Sequence, residues 1–207
     1  MSHKLDVVVS PAASETHTGA NNNQPDTRAP LHVIQRASAT PSKSICEVID
    51  GMALAVIEDP TAAQASYQVD NHLVGATEVH VRAGSHRFVI DEPNDLGGTN
   101  LAPNPIEYAL ASLGSCQAIT YRFWAEKLGI PFDRLSIEVD GDIDFRGLLG
   151  LSEDVRPGFE SVRVTVRITG PSPRAEYERL HAEVERHCPM LDVFRNHVVA
   201  STRMQTS

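Results

Sequence analysis

The chain has 207 residues, 41% of them hydrophobic and 22% charged, with a formal net charge of −9. That is the balance of one soluble domain, or one domain with a tail, large enough for an ordinary core. The acidic charge argues against nonspecific nucleic-acid binding and against an anionic membrane surface as partner, and no apolar run approaches the ~20 residues of a membrane span.

Residues 1–40 are rich in Ser, Thr, Asn, Ala and Pro, with little apolar periodicity. They read as a low-complexity, mostly disordered tail, partly ordered near Leu31 to Ile34, ahead of one α+β domain over residues 41–207. The apolar patch Val7-Val8-Val9 is too short for a signal-peptide core. Ser42 or Ser44 caps a helix running to about Glu58, with Ile45, Val48, Ile49, Met52 and Val56 at helical spacing and Asp59-Pro60 as its stop.

Short strands follow over Ser66 to Val69, Glu78 to Arg82 and His86 to Asp91, the last two joined by a turn at Gly84-Ser85. The run from Asp91 to Asn100 is a loop. It feeds a long helix from about Asn104 to Leu128, closed by Gly129 and Pro131. Leu135 to Phe145 alternates as a strand, Arg146 to Gly158 is a loop, and Ser161 to Ile168 alternates again. Pro171-Ser172-Pro173 opens a helix to His187, a helical turn follows Pro189, and Val198 to Arg203 reads as a closing strand. Helices packed on antiparallel sheet are the architecture this order suggests.

Two of the three cysteines stand out. Cys116 lies inside a small-residue helix, where Gly114 costs ~1 kcal/mol against Ala and so marks a close packing contact. Cys188 precedes Pro189, which disfavours helical geometry and places this sulfur at an element boundary. If the fold brings them together, one thiolate is oxidised by a peroxide to a sulfenic acid and the other thiol condenses with it. A mid-helix thiol needs a nearby cation to ionise readily; Arg82, Arg87 and Arg122 are the candidates. Cys46 shares the apolar face of the first helix with Ile49 and Met52 and reads as a structural thiol. No HExxH or CxxC motif is present, the spacing of the nine histidines suits no standard zinc site, and neither a metal nor a bound cofactor is expected. Three cysteines fit a reducing cytoplasm, where a disulfide is transient rather than structural. A hydrolase using Cys116 requires an imidazole within ~3 Å of the sulfur.

The stretch Asp91-Glu92-Pro93, then Gly97-Gly98, then Asn104 through Cys116, resembles the OsmC/Ohr superfamily, the organic hydroperoxide reductase type. So do Gly141 to Leu151, Val155 to Phe159, and the Cys188-Pro189 pair. The resemblance runs from about Ser66 to Arg203. It implies an OsmC-like fold with two long central helices on antiparallel sheets in an intertwined homodimer, and active sites at the interface. It also implies thiol-dependent reduction of organic hydroperoxides, with Cys116 peroxidatic, Cys188 resolving and an external dithiol as reductant. The family's glutamate position falls on Ile106 here, with Glu107 one residue later; ideal helix geometry, ~100° per residue, puts Glu107 on the face opposite Cys116. The family's arginine position falls on Ala76, which leaves Arg82 as the substitute. The other reading is a noncatalytic OsmC-like protein that binds a small apolar ligand or senses redox state.

Overall fold

A computed structural model describes residues 7–8 and 43–206 of the chain. The expected disorder of residues 1–40 therefore lies outside the described residues, apart from Val7–Val8. These two form β1, whose backbone pairs in parallel with Val166 and Arg167.

Helix α1 spans Ile45–Glu58 and starts where its residues demand it. Ser44 Oγ accepts from the Glu47 N–H at 3.2 Å, and Glu47 Oε2 accepts from the Ser44 N–H at 2.6 Å. This reciprocal box satisfies two donors that a helix start otherwise leaves open. Strands β2 (Val69–Leu73), β3 (Val79–Ala83) and β4 (His86–Ile90) form an antiparallel meander. The Gly84 turn, at φ 59°, fixes its register with Ala83 opposite His86 and Arg82 opposite Arg87. Strand β2 begins at Val69, where the sequence reading expected it to end; Val69 is the first residue with a partner across from it, Ala83.

The loop after β4 is organised by one carboxylate. Buried Asp91 accepts from the Thr77 hydroxyl at 2.6 Å, from the Thr99 hydroxyl at 2.7 Å and N–H at 3.0 Å, and from the Leu101 N–H at 3.2 Å. A carboxylate held by so many donors stays ionised. Its pKa is pushed well below the usual range, the Thr77 and Thr99 hydroxyls contributing most. This hub sets the chain's entry into α2, Pro105–Leu128, which Asn104 caps and Gly129 closes in the left-handed conformation at φ 65°.

Strands β5 (Arg134–Asp142) and β6 (Ser161–Thr169) pair antiparallel along their whole length. Val164, Val166 and Ile168 alternate into the core against Leu113, Tyr121 and Ala125 of α2. Helix α4 (Arg174–His187) adds Tyr177, Leu180 and Val184, and α5 (Pro189–Arg195) adds Leu191. Burying each such side chain contributes ~1.5–3 kcal/mol. A Cβ on Gly114 would lie 3.1 Å from Val139 Cγ2, so the glycine marks where α2 and β5 meet most closely, as the sequence implied.

The β5 strand stops at Asp142, short of the expected Phe145, and residues read as loop include a helical turn, α3 (Phe145–Leu148). Asp144 is the reason: its carboxylate accepts from the Arg146 N–H at 2.9 Å and starts the turn. The expected strand over Val198 to Arg203 does not form; that segment lies exposed, with Val199 88% accessible and no strand beside it among the described residues. The architecture is α+β, with antiparallel sheets, one of which β1 joins in parallel, and one long central helix, α2. No helix among the described residues is long and apolar enough to cross a membrane.

Candidate functional site

Two helix systems deliver the sulfurs. Cys116 rides mid-way along α2, where the small residues of that helix permit close approach. Cys188 ends α4 and precedes α5 with extended backbone, φ −77° and ψ 115°, as Pro189 requires. The packing of α2 against α4 and α5 places Cys188 Sγ 3.6 Å from Cys116 Sγ, the buried thiol donating to the half-buried one. The two sulfurs whose meeting decides the chemistry do meet.

Their surroundings differ. Cys188 is 2% accessible. Burial pushes its thiol up, and the neighbouring Cys116 sulfur adds to the rise, while the Leu191 N–H and Thr120 hydroxyl oppose it. Cys188 is therefore held as the protonated partner. Thr120 Oγ1 also donates to the Cys116 carbonyl at 2.8 Å. Sequence reasoning missed Thr120, although its position four residues after Cys116 on one helix face was the available signal.

Aromatic and imidazole groups line the contact between α2 and α4. Trp124 packs against His187 in a tilted pair with ring centroids 4.4 Å apart, and Lys127 Nζ sits 4.3 Å from the same indole. Buried Tyr121 hydrogen-bonds His181 Nδ1. Desolvation lowers the His181 pKa, favouring the neutral ring. No histidine among the described residues hydrogen-bonds the Cys116 sulfur, so the hydrolase arrangement is absent there. Among the described residues no three His, Cys, Asp or Glu side chains converge as a metal site.

The supporting residues are placed elsewhere. Glu107 Oε2 accepts from the Asn104 N–H at 2.9 Å, completing the capping box of α2, and its helix start is regular. Its side chain borders a groove with Ala111, Gly114 and Val139 on the β5 side of α2. Arg82 is exposed and donates to Asp70 at 2.5 Å. Its meander meets α2 through Tyr108, whose hydroxyl donates to the Val89 carbonyl at 3.0 Å. That contact lies two helical turns before Cys116, ~12 Å along the axis. Arg122 pairs with Glu126 at 3.6 Å and covers the Phe132 ring at 4.1 Å, and Arg87 lies opposite Arg82. Within one chain, none of these arginines has a hydrogen bond to either sulfur.

Cys46 corrects the sequence reading. It is exposed, not packed, because α1 turns only Ile49 fully inward; its sulfur donates to Glu126 Oε2 at 3.7 Å. Desolvation and that carboxylate both push the Cys46 thiol up, which suppresses its reactivity.

Comparison with solved structures returns the same fold. The OsmC-like protein of Mycoplasma pneumoniae superposes with a TM-score of 0.56 at 16% identity, over 64% of this chain and 89% of that one. An organic hydroperoxide resistance protein OsmC from Legionella pneumophila gives 0.51 at 24% identity, over 64% and 91%. An organic hydroperoxide resistance protein from Elizabethkingia anophelis gives 0.51 at 20%, over 64% and 90%. No curated protein matches the chain. Residues 98–203, which include both cysteines, match the family described as OsmC-like protein. The chain belongs to the OsmC-like protein family.

Proposed function

We propose that this protein is a thiol-dependent peroxidase that reduces organic hydroperoxides. The observation that carries the reading is the 3.6 Å approach of a half-buried and a buried thiol. The Cys116 thiolate attacks one peroxide oxygen, forming an S–O bond as the O–O bond breaks; the alkoxide leaves and is protonated to an alcohol. The Cys188 sulfur then attacks the sulfenic sulfur, an S–S bond forms and water is released. An external dithiol restores both thiols by exchange and becomes the disulfide itself. No bound cofactor takes part, and the cytoplasm supplies the reducing environment the cycle needs.

The working unit in this reading is an intertwined homodimer. Large apolar side chains left exposed on one chain support it: Ile119 on α2 at 68%, and Leu54 and Ile57 on α1 at 61% and 77%. In the dimer, the β2–β4 meander of one copy backs the helices of the other, and Arg82 supplies the cation for thiolate and leaving oxygen. Glu107 acts only through the α2 cap.

A redox sensor is the second reading, favoured by one specific observation: Glu107 and Arg82 are engaged by Asn104 and Asp70. Steady consumption of cumene hydroperoxide with excess dithiothreitol separates the two. The peroxidase turns over many equivalents per chain; a sensor stops after one.

A further inference from the structure

A cavity of about 480 Å³ opens between α5, the start of β6 and the loop that precedes it. Its floor is Leu113 and Leu191, respectively 1% and 4% accessible. Each lies one helical turn from a sulfur, Leu113 before Cys116 and Leu191 after Cys188. Val162 and Val164 form one wall; Phe159 and Phe194, with ring centroids 6.1 Å apart, form another.

Two glycines outside the cavity hold the loop in place. A Cβ on Gly141 would lie 2.7 Å from the Phe159 ring carbons, and a Cβ on Gly147 would lie 2.5 Å from the Arg156 carbonyl oxygen. Only glycine at both positions lets the loop lie down, with Arg156 and Phe159 on the cavity. The loop is thus seated from behind at two separate points.

The charges at the cavity are unequal. Arg195 is neutralised by Glu185 at 2.7 Å. Glu160 also lines the cavity and lies within Coulombic reach of Arg146. Arg156 has no ion-pair partner among the described residues, and its guanidinium lies across Gly158, with Nη2 3.6 Å from where a Cβ would sit. An unpaired guanidinium at the edge of an apolar cavity is the arrangement that selects a carboxylate joined to an apolar body.

We propose that this cavity is a binding site for a small amphipathic monocarboxylate, its alkyl or aryl body over Leu113 and Leu191 and its carboxylate on Arg156. Neither sulfur lines the cavity, and its occupancy is read without any thiol chemistry.

The test is calorimetric titration of the reduced full-length protein with octanoate, with octanol as the uncharged control. Octanoate is expected to bind, Arg156→Gln to weaken it tenfold or more, and octanol to be indifferent to that substitution. Phe194→Ala is expected to weaken both probes, because it removes a wall and no charge. Equal affinities for octanoate and octanol with Arg156→Gln silent, or no binding of either probe, would overturn the proposal. Loss of peroxidase turnover with octanoate binding intact would sink the peroxidase reading and leave this one standing.

Discussion

The Cys188 sulfur, in a residue 2% accessible, lies 3.6 Å from the half-buried Cys116 sulfur. The buried sulfur, whose pKa burial raises, keeps its proton, while Cys116 is the more accessible of the two. In the proposed cycle the accessible Cys116 attacks and the buried Cys188 resolves. Cys116→Ser is expected to abolish reaction with an organic hydroperoxide. Cys188→Ser should leave the first oxidation intact but stop at a sulfenic acid, trapped by dimedone, with turnover lost. Undiminished turnover in Cys188→Ser would remove it from the cycle.

Trp124 is the only tryptophan in the chain, and its ring lies 4.4 Å from that of His187, the residue beside Cys188. Closing the sulfurs to the ~2.05 Å of a disulfide must draw Cys188 toward α2 and shift that contact. Intrinsic fluorescence is therefore expected to change on oxidation, to return on reduction, and to stay constant in Cys116→Ser. A constant signal while thiols disappear would show that the bond closes without moving the α4–α5 junction.

Acid should loosen the entry to α2. Asp91 has a native pKa held below its unfolded value by the Thr77 and Thr99 hydroxyls. The native state thus binds fewer protons, and the stabilisation is present above the unfolded value of ~3.9 and lost as pH falls below it. Urea midpoints are expected to drop below pH ~4, and Asp91→Asn to flatten that limb. Cys188 has the opposite sign: its raised pKa stabilises the fold below ~8.5 and loses that contribution as pH rises further. An alkaline limb identical in Cys188→Ala would contradict the burial argument.

Glu107 and Arg82 separate cap from catalysis. Asn104→Ala breaks the α2 capping box at a cost of about 1 kcal/mol, and Glu107→Ala should destabilise in the same way, both without slowing Cys116 oxidation. Arg82→Gln is expected to slow that oxidation on the order of 10²-fold if the cation serves the leaving oxygen. Stopped-flow oxidation rates that reverse these roles would require a different supporting shell.

The helix boundaries were legible in the sequence because local chemistry sets them, whereas the approach of two sulfurs 72 positions apart was an expectation of the resemblance alone. Ser44 and Asn104 cap, Gly129 closes, and Pro189 forces the break at Cys188. Gly114 announced the α2–β5 contact for the same kind of reason. The failures share one cause, dependence on distant residues. Val198 to Arg203 has a strand-like composition but no strand beside it among the described residues. Cys46 sits on an apolar stripe that α1 buries only at Ile49. The Arg156 cavity depends on Gly141 and Gly147 receiving a loop from further along the chain, and no local pattern shows that.

The most direct test of the two-thiol account is the intact mass of the reduced protein after one equivalent of an organic hydroperoxide, with no reductant present. The account predicts a fast loss of about two mass units, set by the two hydrogens lost when a sulfenate and a thiol condense, mapped by peptide digestion to a Cys116–Cys188 bridge. Unchanged thiols, or slow oxidation scattered over Cys46 as well, would contradict it.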